Sequence, residues 1–381
     1  MALLTVVVPL YNQEAFIEKC ISSIQKQSLQ DIEIIIVDDG STDDGALICE
    51  YMSKNDNRIT VIHQENRGLS GARYTGIKNC KTKYITFVDA DDFILEDSYS
   101  RALEYMERDI DTIFFEISRY FDENRIKRER HIFAEGFYDR ERIEQVIYDK
   151  LIWDFDNGNP GMECSQCVRI TKRQLLFDRY NKLTVHVYYG EDMAITYPLY
   201  RTIRNMQVVS YSYYMHRQPI NEGCQSYIKT DGYFEEIFKL YNYLASQFED
   251  CRKEHNIQRQ IEYLYMYMVQ LKKRKYMDEK QTLLYYFPFD KTFPHKRMLL
   301  YGAGNVGRSY YDQLKRISYC SELLWVDKDA EYIQDDRVKS IDEIWSYNPD
   351  FVIIAIKDET ICNDVTEFLI KNGINKDIIV C

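Results

Sequence analysis

The sequence predicts an α/β fold on a mostly parallel sheet, a helical connector, and a second, smaller α/β unit at the C-terminal end. Three observations carry this. Short β-rich runs alternate with helically spaced apolar residues through the first 120 residues. The pattern turns helical from about 225 to 280, and a strand with a glycine-rich turn reappears after 296. At roughly 150 residues per domain, a chain of 381 residues holds two or three units.

The strand candidates in the first part are LLTVVVP, IEIIIVDD, RITVIHQ, KYITFVDADD and DTIFFEISRYF. Between the first two, Phe16, Ile17, Cys20, Ile21 and Ile24 recur at helical spacing, with Asn12 as the expected N-cap. Ser41 or Thr42 is the expected cap of the next helix, with Asp43 and Asp44 in its first turn, where the helix dipole favours anions. The helical stretch is marked by Ile261, Leu264, Tyr265, Met268 and Leu271, and closes on Lys272, Lys273, Arg274 and Lys275. That basic run suits a solvated helix end or an anionic membrane surface. Pro288 and Pro294 punctuate a linker. The expected parts are therefore 1–224, 225–295 and 296–381.

Composition excludes some partners. There are 49 Lys plus Arg against 61 Asp plus Glu, a net charge of −12, whereas a nucleic-acid binder usually carries a basic surplus. Hydrophobic residues make up 45% of the chain, enough for substantial cores. Its 33 Tyr suit half-wet grooves as well as cores. The longest apolar runs, 3–10 and 351–356, are far short of the roughly 18 residues a membrane span needs. The start reads as a first strand rather than a signal peptide. Ten scattered cysteines suit reduced thiols in a cytoplasmic setting. The one C-x-x-C, Cys164 and Cys167, has no second pair and reads as structural before metal or redox.

Chemistry gathers at strand ends, where open α/β sheets bind ligands. Asp38 and Asp39 close a buried strand, and a carboxylate there can accept from a nucleobase imide or a ribose hydroxyl; a turn-and-cap cluster is the other reading. Asp89, Asp91 and Asp92 follow another buried strand. Crowded carboxylates raise one another's energy unless a cation compensates, and the D-x-D of Asp89 and Asp91 offers hard oxygens to Mg²⁺ or Mn²⁺.

The ordered set VVVPLYNQEAFIEKCISSIQKQS, IEIIIVDDGSTD, ENRGLSGARYTGI, FVDADD and YYGEDM, over roughly residues 1 to 217, resembles the family 2 glycosyltransferases with a GT-A fold. The resemblance implies a nucleotide-sugar donor held by Pro9, Tyr11, Asp39, Arg73 and Asp89. Asp91 would be a metal ligand, and Asp192 the general base of an inverting transfer. It also implies Asp92 and Glu191 as secondary candidates near the donor sugar and the base. His216 would be a further metal ligand or phosphate donor, and Arg217 a phosphate clamp. Three positions depart from the family pattern: Tyr74 stands where Asn is usual, and Arg169 and Thr171 replace the Lys and Tyr of an acceptor-side motif. The implied enzyme passes a sugar, best read as coming from a UDP-sugar, to a hydroxyl of a glycan or glycoprotein acceptor in envelope polysaccharide or glycoprotein synthesis. It would work in the cytoplasm at the inner face of the membrane, with the Tyr-rich helices after 225 offering homo-oligomer surface.

In the last part, Gly302, Gly304 and Gly307 form G-x-G-x-x-G after the strand MLLY, and Asp327 ends the next strand. This region resembles small Rossmann-like modules attached to some envelope-sugar enzymes. It is open to two readings, a nucleotide site or a docking and oligomerisation module. An NAD(P)-dependent sugar-modifying activity lacks a Tyr-x-x-x-Lys after the loop. A non-catalytic glycan scaffold has no need of both acidic pairs.

Overall fold

In the computed structural model, residues 2–183, 189–218, 232–251, 254–276, 285 and 287–380 are described; at 272–276, 290 and 359 only the backbone is. The chain forms two compact units, Met1–Tyr265 and Met266–Cys381.

The first unit is built on a ten-stranded sheet. Strands β1 (Leu4–Leu10), β2 (Ile32–Asp38), β3 (Ile59–His63) and β4 (Tyr84–Phe87) lie in the order β3-β2-β1-β4 and pair in parallel. The sheet then continues through Arg169–Lys172, Thr112–Asp122, Asn205–Arg217 and Phe93–Ile94. Strand Arg169–Lys172 is antiparallel to both of its neighbours, whereas Thr112–Asp122 and Asn205–Arg217 pair in parallel. β1 is buried along its whole length, as a strand covered on both faces must be. The covering helices include α1 (Ile17–Gln25), α2 (Gly45–Asn55) and α3 (Gly68–Asn79). The predicted KYITFVDADD strand ends at Phe87. Asp89 to Asp92 form a turn, in which the Asp92 N–H donates to the Asp89 carbonyl at 3.0 Å.

The expected helix caps are corrected. α1 begins at Ile17, well past Asn12, and α2 begins behind Asp44. Asn12, Ser41 and Thr42 instead tie the two β–α loops together. The Thr42 N–H donates to Asn12 Oδ1 at 2.8 Å, and the Asn12 N–H donates to Ser41 Oγ at 3.2 Å. Cross-loop bonds have displaced local capping.

The predicted helical stretch is present as Tyr233–Gln247 and Ile257–Tyr276. The side chains of Lys272, Lys273, Arg274 and Lys275 lie outside the described residues. Among the described residues no helix is long and apolar enough to cross a membrane.

The second unit holds five parallel strands in the order Val338–Ser340, Glu322–Asp327, Arg297–Tyr301, Phe351–Ile354, Ile379–Val380. Leu299, Val326, Val352 and Leu369 centre its core. Helix Asn305–Arg316 follows the glycine loop so tightly that a Cβ on Gly307 would stand 1.8 Å from the Gly302 carbonyl oxygen.

Candidate active site

The chain leaves β1 for β2 and β3 on one side, then crosses to β4 on the other. Strand order thus reverses between β1 and β4, the place where open parallel sheets bind ligands. A cleft of about 510 Å³ opens there, and Pro9, Tyr11, Asp39, Asp89, Asp91 and Glu191 all line it. Tyr11 is 48% exposed at its lip, a surface on which a planar ring can stack. Six of the residues singled out in the sequence are therefore brought together.

Arg73 lies beneath them, 1% exposed, on α3. Its Nη1 donates to Glu191 Oε1 at 2.9 Å and to Asp192 Oδ1 at 2.6 Å, and its Nη2 donates to Asp89 Oδ1 at 2.9 Å. One guanidinium thus joins the D-x-D turn to the Glu191–Asp192 pair across more than a hundred residues of sequence. Burial pulls its pKa down, but the charges of Asp192 and Asp89 more than offset this and hold it well above the usual value. Breaking a buried ion cluster by removing one partner typically costs about 3–5 kcal/mol, because the rest are left uncompensated.

Glu191 and Asp192 sit in the first turn of helix Glu191–Leu199, where the dipole favours negative charge. Gly190 before them has φ +77°, and a Cβ there would stand 2.5 Å from Leu240 Cδ2, so glycine is favoured at this helix start. Ser70 Oγ donates to Glu191 Oε2 at 2.5 Å. Burial raises both carboxyls above the ordinary range; Arg73 draws them back down, and neighbouring acids push them up again. A carboxylate held this way is a better proton acceptor than a solvated one.

Asp92 is placed differently. It is 1% exposed, and its oxygens accept from Tyr214 Oη at 2.5 Å and from the Arg217 N–H at 2.7 Å. Tyr214 Oη also accepts the Asp89 N–H at 3.2 Å, so this trio pins the acidic turn to strand Asn205–Arg217. Asp92 caps no helix: the next one starts at Ser98, behind Asp97.

The donor set for a cation is small. Among the described residues no group of three or more His, Cys, Asp or Glu side chains could hold a metal. Asp91 is raised by burial and by the charge of Asp89, the crowding that a cation relieves. Mg²⁺ and Mn²⁺ are commonly held by one or two carboxylates together with phosphate oxygens and water, and this pair fits that pattern. His216 Nδ1 faces Nη1 of Arg119 and Nε2 of Gln218 (3.0 Å), both of which can only donate, so its lone pair is engaged. The Arg217 Nε donates to the Asp91 carbonyl at 2.7 Å, with its guanidinium over Phe16.

Other sequence features have structural duties. Tyr74, in the place of the usual Asn, stacks on Phe177 and Tyr180 and donates to Asn181 Oδ1. Arg169 is buried and donates to the carbonyls of Cys164 and Ser165. Cys164 and Cys167 are free thiols that burial raises well above the usual value, which makes them poor nucleophiles. Sequence reading missed Ser70, Tyr214 and Arg119. Each meets its partner through folding, and only Ser70 lies inside a recognisable motif.

Comparison with known proteins adds relatives. GlyA, a glycosyltransferase of Streptococcus pneumoniae, is 40% identical over 154 residues, covering 39% of this chain and 21% of that protein. The chain therefore spans about a fifth of that relative's length. EpsH of Bacillus subtilis, named as a glycosyltransferase, is 30% identical over 259 residues, covering 66% of this chain and 72% of that protein. Among solved structures, Staphylococcus aureus TarS 1–349 in complex with UDP-GlcNAc superposes with TM-score 0.52 at 19% identity, covering 76% of this chain and 78% of that one; this likeness is one of fold. Residues 5–176 match the family described as Glycosyl transferase family 2. With the D-x-D turn and the Glu191–Asp192 pair gathered on one buried arginine, and with EpsH alike over most of its length, the chain belongs to glycosyl transferase family 2.

Proposed function

We propose that the first unit is an inverting, metal-dependent glycosyltransferase that moves a sugar from a nucleotide donor, best a UDP-sugar, to a hydroxyl of a glycan or glycoprotein acceptor. The observation that carries this is one cleft lined by Tyr11, Asp39, the D-x-D turn and Glu191, with Arg73 tying that turn to Glu191 and Asp192. UDP-GlcNAc, named in the TarS complex, is a donor of the proposed class.

In this reading Pro9, Tyr11 and Asp39 hold the base, and Asp89 reaches the ribose. Asp192 keeps Oδ1 on Arg73 while Oδ2 takes the proton of the acceptor hydroxyl. The acceptor oxygen bonds to the anomeric carbon from the face opposite the diphosphate, and the bond from that carbon to the phosphate oxygen breaks, so configuration inverts. Glu191 tunes the base, and Arg217 steadies the leaving diphosphate. Asp91 and Asp89 would hold Mn²⁺ or Mg²⁺, which supplies Lewis-acid neutralisation of the diphosphate. A metal role for His216 would require Arg119 to turn away.

For residues 296–381 we propose a Rossmann-like docking or oligomerisation module, following a connector over 225–295. Asp327 is tied to its own loop, Oδ2 taking the Ala303 N–H at 2.6 Å and Oδ1 the Asp329 N–H at 2.9 Å.

Donor hydrolysis and transfer across a panel of UDP- and GDP-sugars, with Mn²⁺ and with EDTA, test the proposal. Turnover of a UDP-sugar that EDTA abolishes is the expected result. No turnover of any donor overturns the reading, and EDTA-resistant turnover overturns the metal.

A further inference from the structure

The nucleotide end of the cleft shows how Asp39 is held. The residue is 2% exposed, and its Oδ1 accepts two hydrogen bonds, from the Arg67 N–H at 2.8 Å and from Gln64 Nε2 at 2.6 Å. The Gln64 amide is fixed in turn. Its Oε1 accepts from Thr75 Oγ1 at 2.6 Å, and its backbone N–H donates to the Asp38 carbonyl at 2.9 Å. A flipped amide would set its carbonyl oxygen against the carboxylate, so the orientation is determined by Asp39. A carboxylate oxygen has two lone-pair sites, and both of those on Oδ1 are taken. Oδ2 has no hydrogen-bond partner among the described residues, and Asp39 lines the cleft. Asp39 therefore meets a ligand with one oxygen.

Resting on the nucleotide-sugar reading of this cleft, we propose that Gln64, backed by Thr75, is a specificity-determining positioning residue that restricts Asp39 to single-oxygen contact, which fits uracil and not guanine. Uracil offers one ring N–H between two carbonyls, and a single carboxylate oxygen satisfies it. Guanine offers its N1–H and N2 amino group side by side, a pair that needs both oxygens. With Oδ1 saturated, one of those donors would be buried unpaired, and sites reject ligands strongly on that ground. Cytosine and adenine turn a ring-nitrogen lone pair toward the carboxylate, which repels it. The choice of base is thus made by an amide that never touches the base.

Calorimetry of the full chain with Mg²⁺, using UDP and GDP as probes, tests this; circular dichroism melts check that each variant folds. Wild type is expected to prefer UDP by about tenfold or more. Gln64→Leu leaves Oδ1 one free site and should narrow the UDP-to-GDP preference by about tenfold, the scale of one hydrogen bond to a charged group. Thr75→Val should move the preference the same way by about two- to threefold, and it decides the matter if Gln64→Leu does not fold. A wild type that prefers GDP overturns the inference and leaves the nucleotide-sugar reading standing. Binding of neither nucleotide overturns both. A folded Gln64→Leu that weakens UDP and GDP equally makes Gln64 a merely structural residue and also overturns the inference.

Discussion

The two units solve one topological problem in two ways. In each, a parallel sheet starts at a central strand, grows to one side, then returns to grow on the other. In each, an aspartate closes the second strand beside the first strand's end. In the first unit Asp39 gives one oxygen to the protein and keeps the other toward a cleft. In the second, both oxygens of Asp327 accept from backbone, Oδ1 from Asp329 at 2.9 Å and Oδ2 from Ala303 at 2.6 Å. Trp325 Nε1 also donates to the Gly302 carbonyl, so that loop is tied down from its own strand. The two aspartates thus differ in how they are held: Asp39 keeps one oxygen unshared, whereas Asp327 shares both with its own loop.

The largest expected effect lies in the acid pair, which has no counterpart in the glycine loop. Asp192→Asn keeps the side-chain shape but cannot take a proton. Turnover should fall by about 10³-fold, within the usual span of general base catalysis, while calorimetry finds UDP affinity unchanged within about twofold. Loss of donor binding instead would make Asp192 a binding residue.

Next comes the paired test of the two aspartates. Asp39→Ala should weaken UDP binding by about 10- to 100-fold, the worth of a hydrogen bond to a charged group. Asp327→Ala should leave UDP binding and turnover unchanged. A fall in UDP affinity from Asp327→Ala would break the comparison, since it would give the second unit a nucleotide role.

This contrast also explains what the sequence could and could not tell. The β1–β4 strands, the acidic turn and the Glu191–Asp192 pair were legible because short motifs and continuous apolar runs are local properties. The predicted caps failed because Asn12 and Thr42 bond to each other across two loops. The roles of Tyr214 and Ser70 were hidden, since each depends on a residue more than a hundred positions away. The glycine loop was legible as a turn. That both oxygens of its aspartate bond the loop backbone was not, because backbone hydrogen bonds leave no mark in composition.

A smaller effect follows from packing in the second unit. Gly307→Ala drives a methyl against the Gly302 carbonyl oxygen. Overpacking of this kind costs about 1–3 kcal/mol. A lower melting temperature should therefore accompany unchanged UDP binding. If UDP binding falls along with stability, the two units do not work as independently as their separate sheets suggest.

The smallest expected effect decides which carboxyl is the working base. Burial raises both Glu191 and Asp192, and both share Nη1 of Arg73, so their titrations are linked. Turnover needs an ionised base, so kcat/KM should fall as pH drops through a limb lying above the ordinary carboxylate range of about 4. Ser70→Ala removes a donor that favours ionised Glu191, so Glu191 holds its proton to higher pH. Asp192 then ionises beside a neutral neighbour rather than a charged one, which is easier. If Asp192 is the base, the acid limb of kcat/KM moves to lower pH by a few tenths of a unit, on the scale of one modest hydrogen bond. If Glu191 must also be ionised, the limb moves to higher pH. The direction of that shift, read from pH–rate profiles of wild type and variant side by side, assigns the proton to one oxygen or the other.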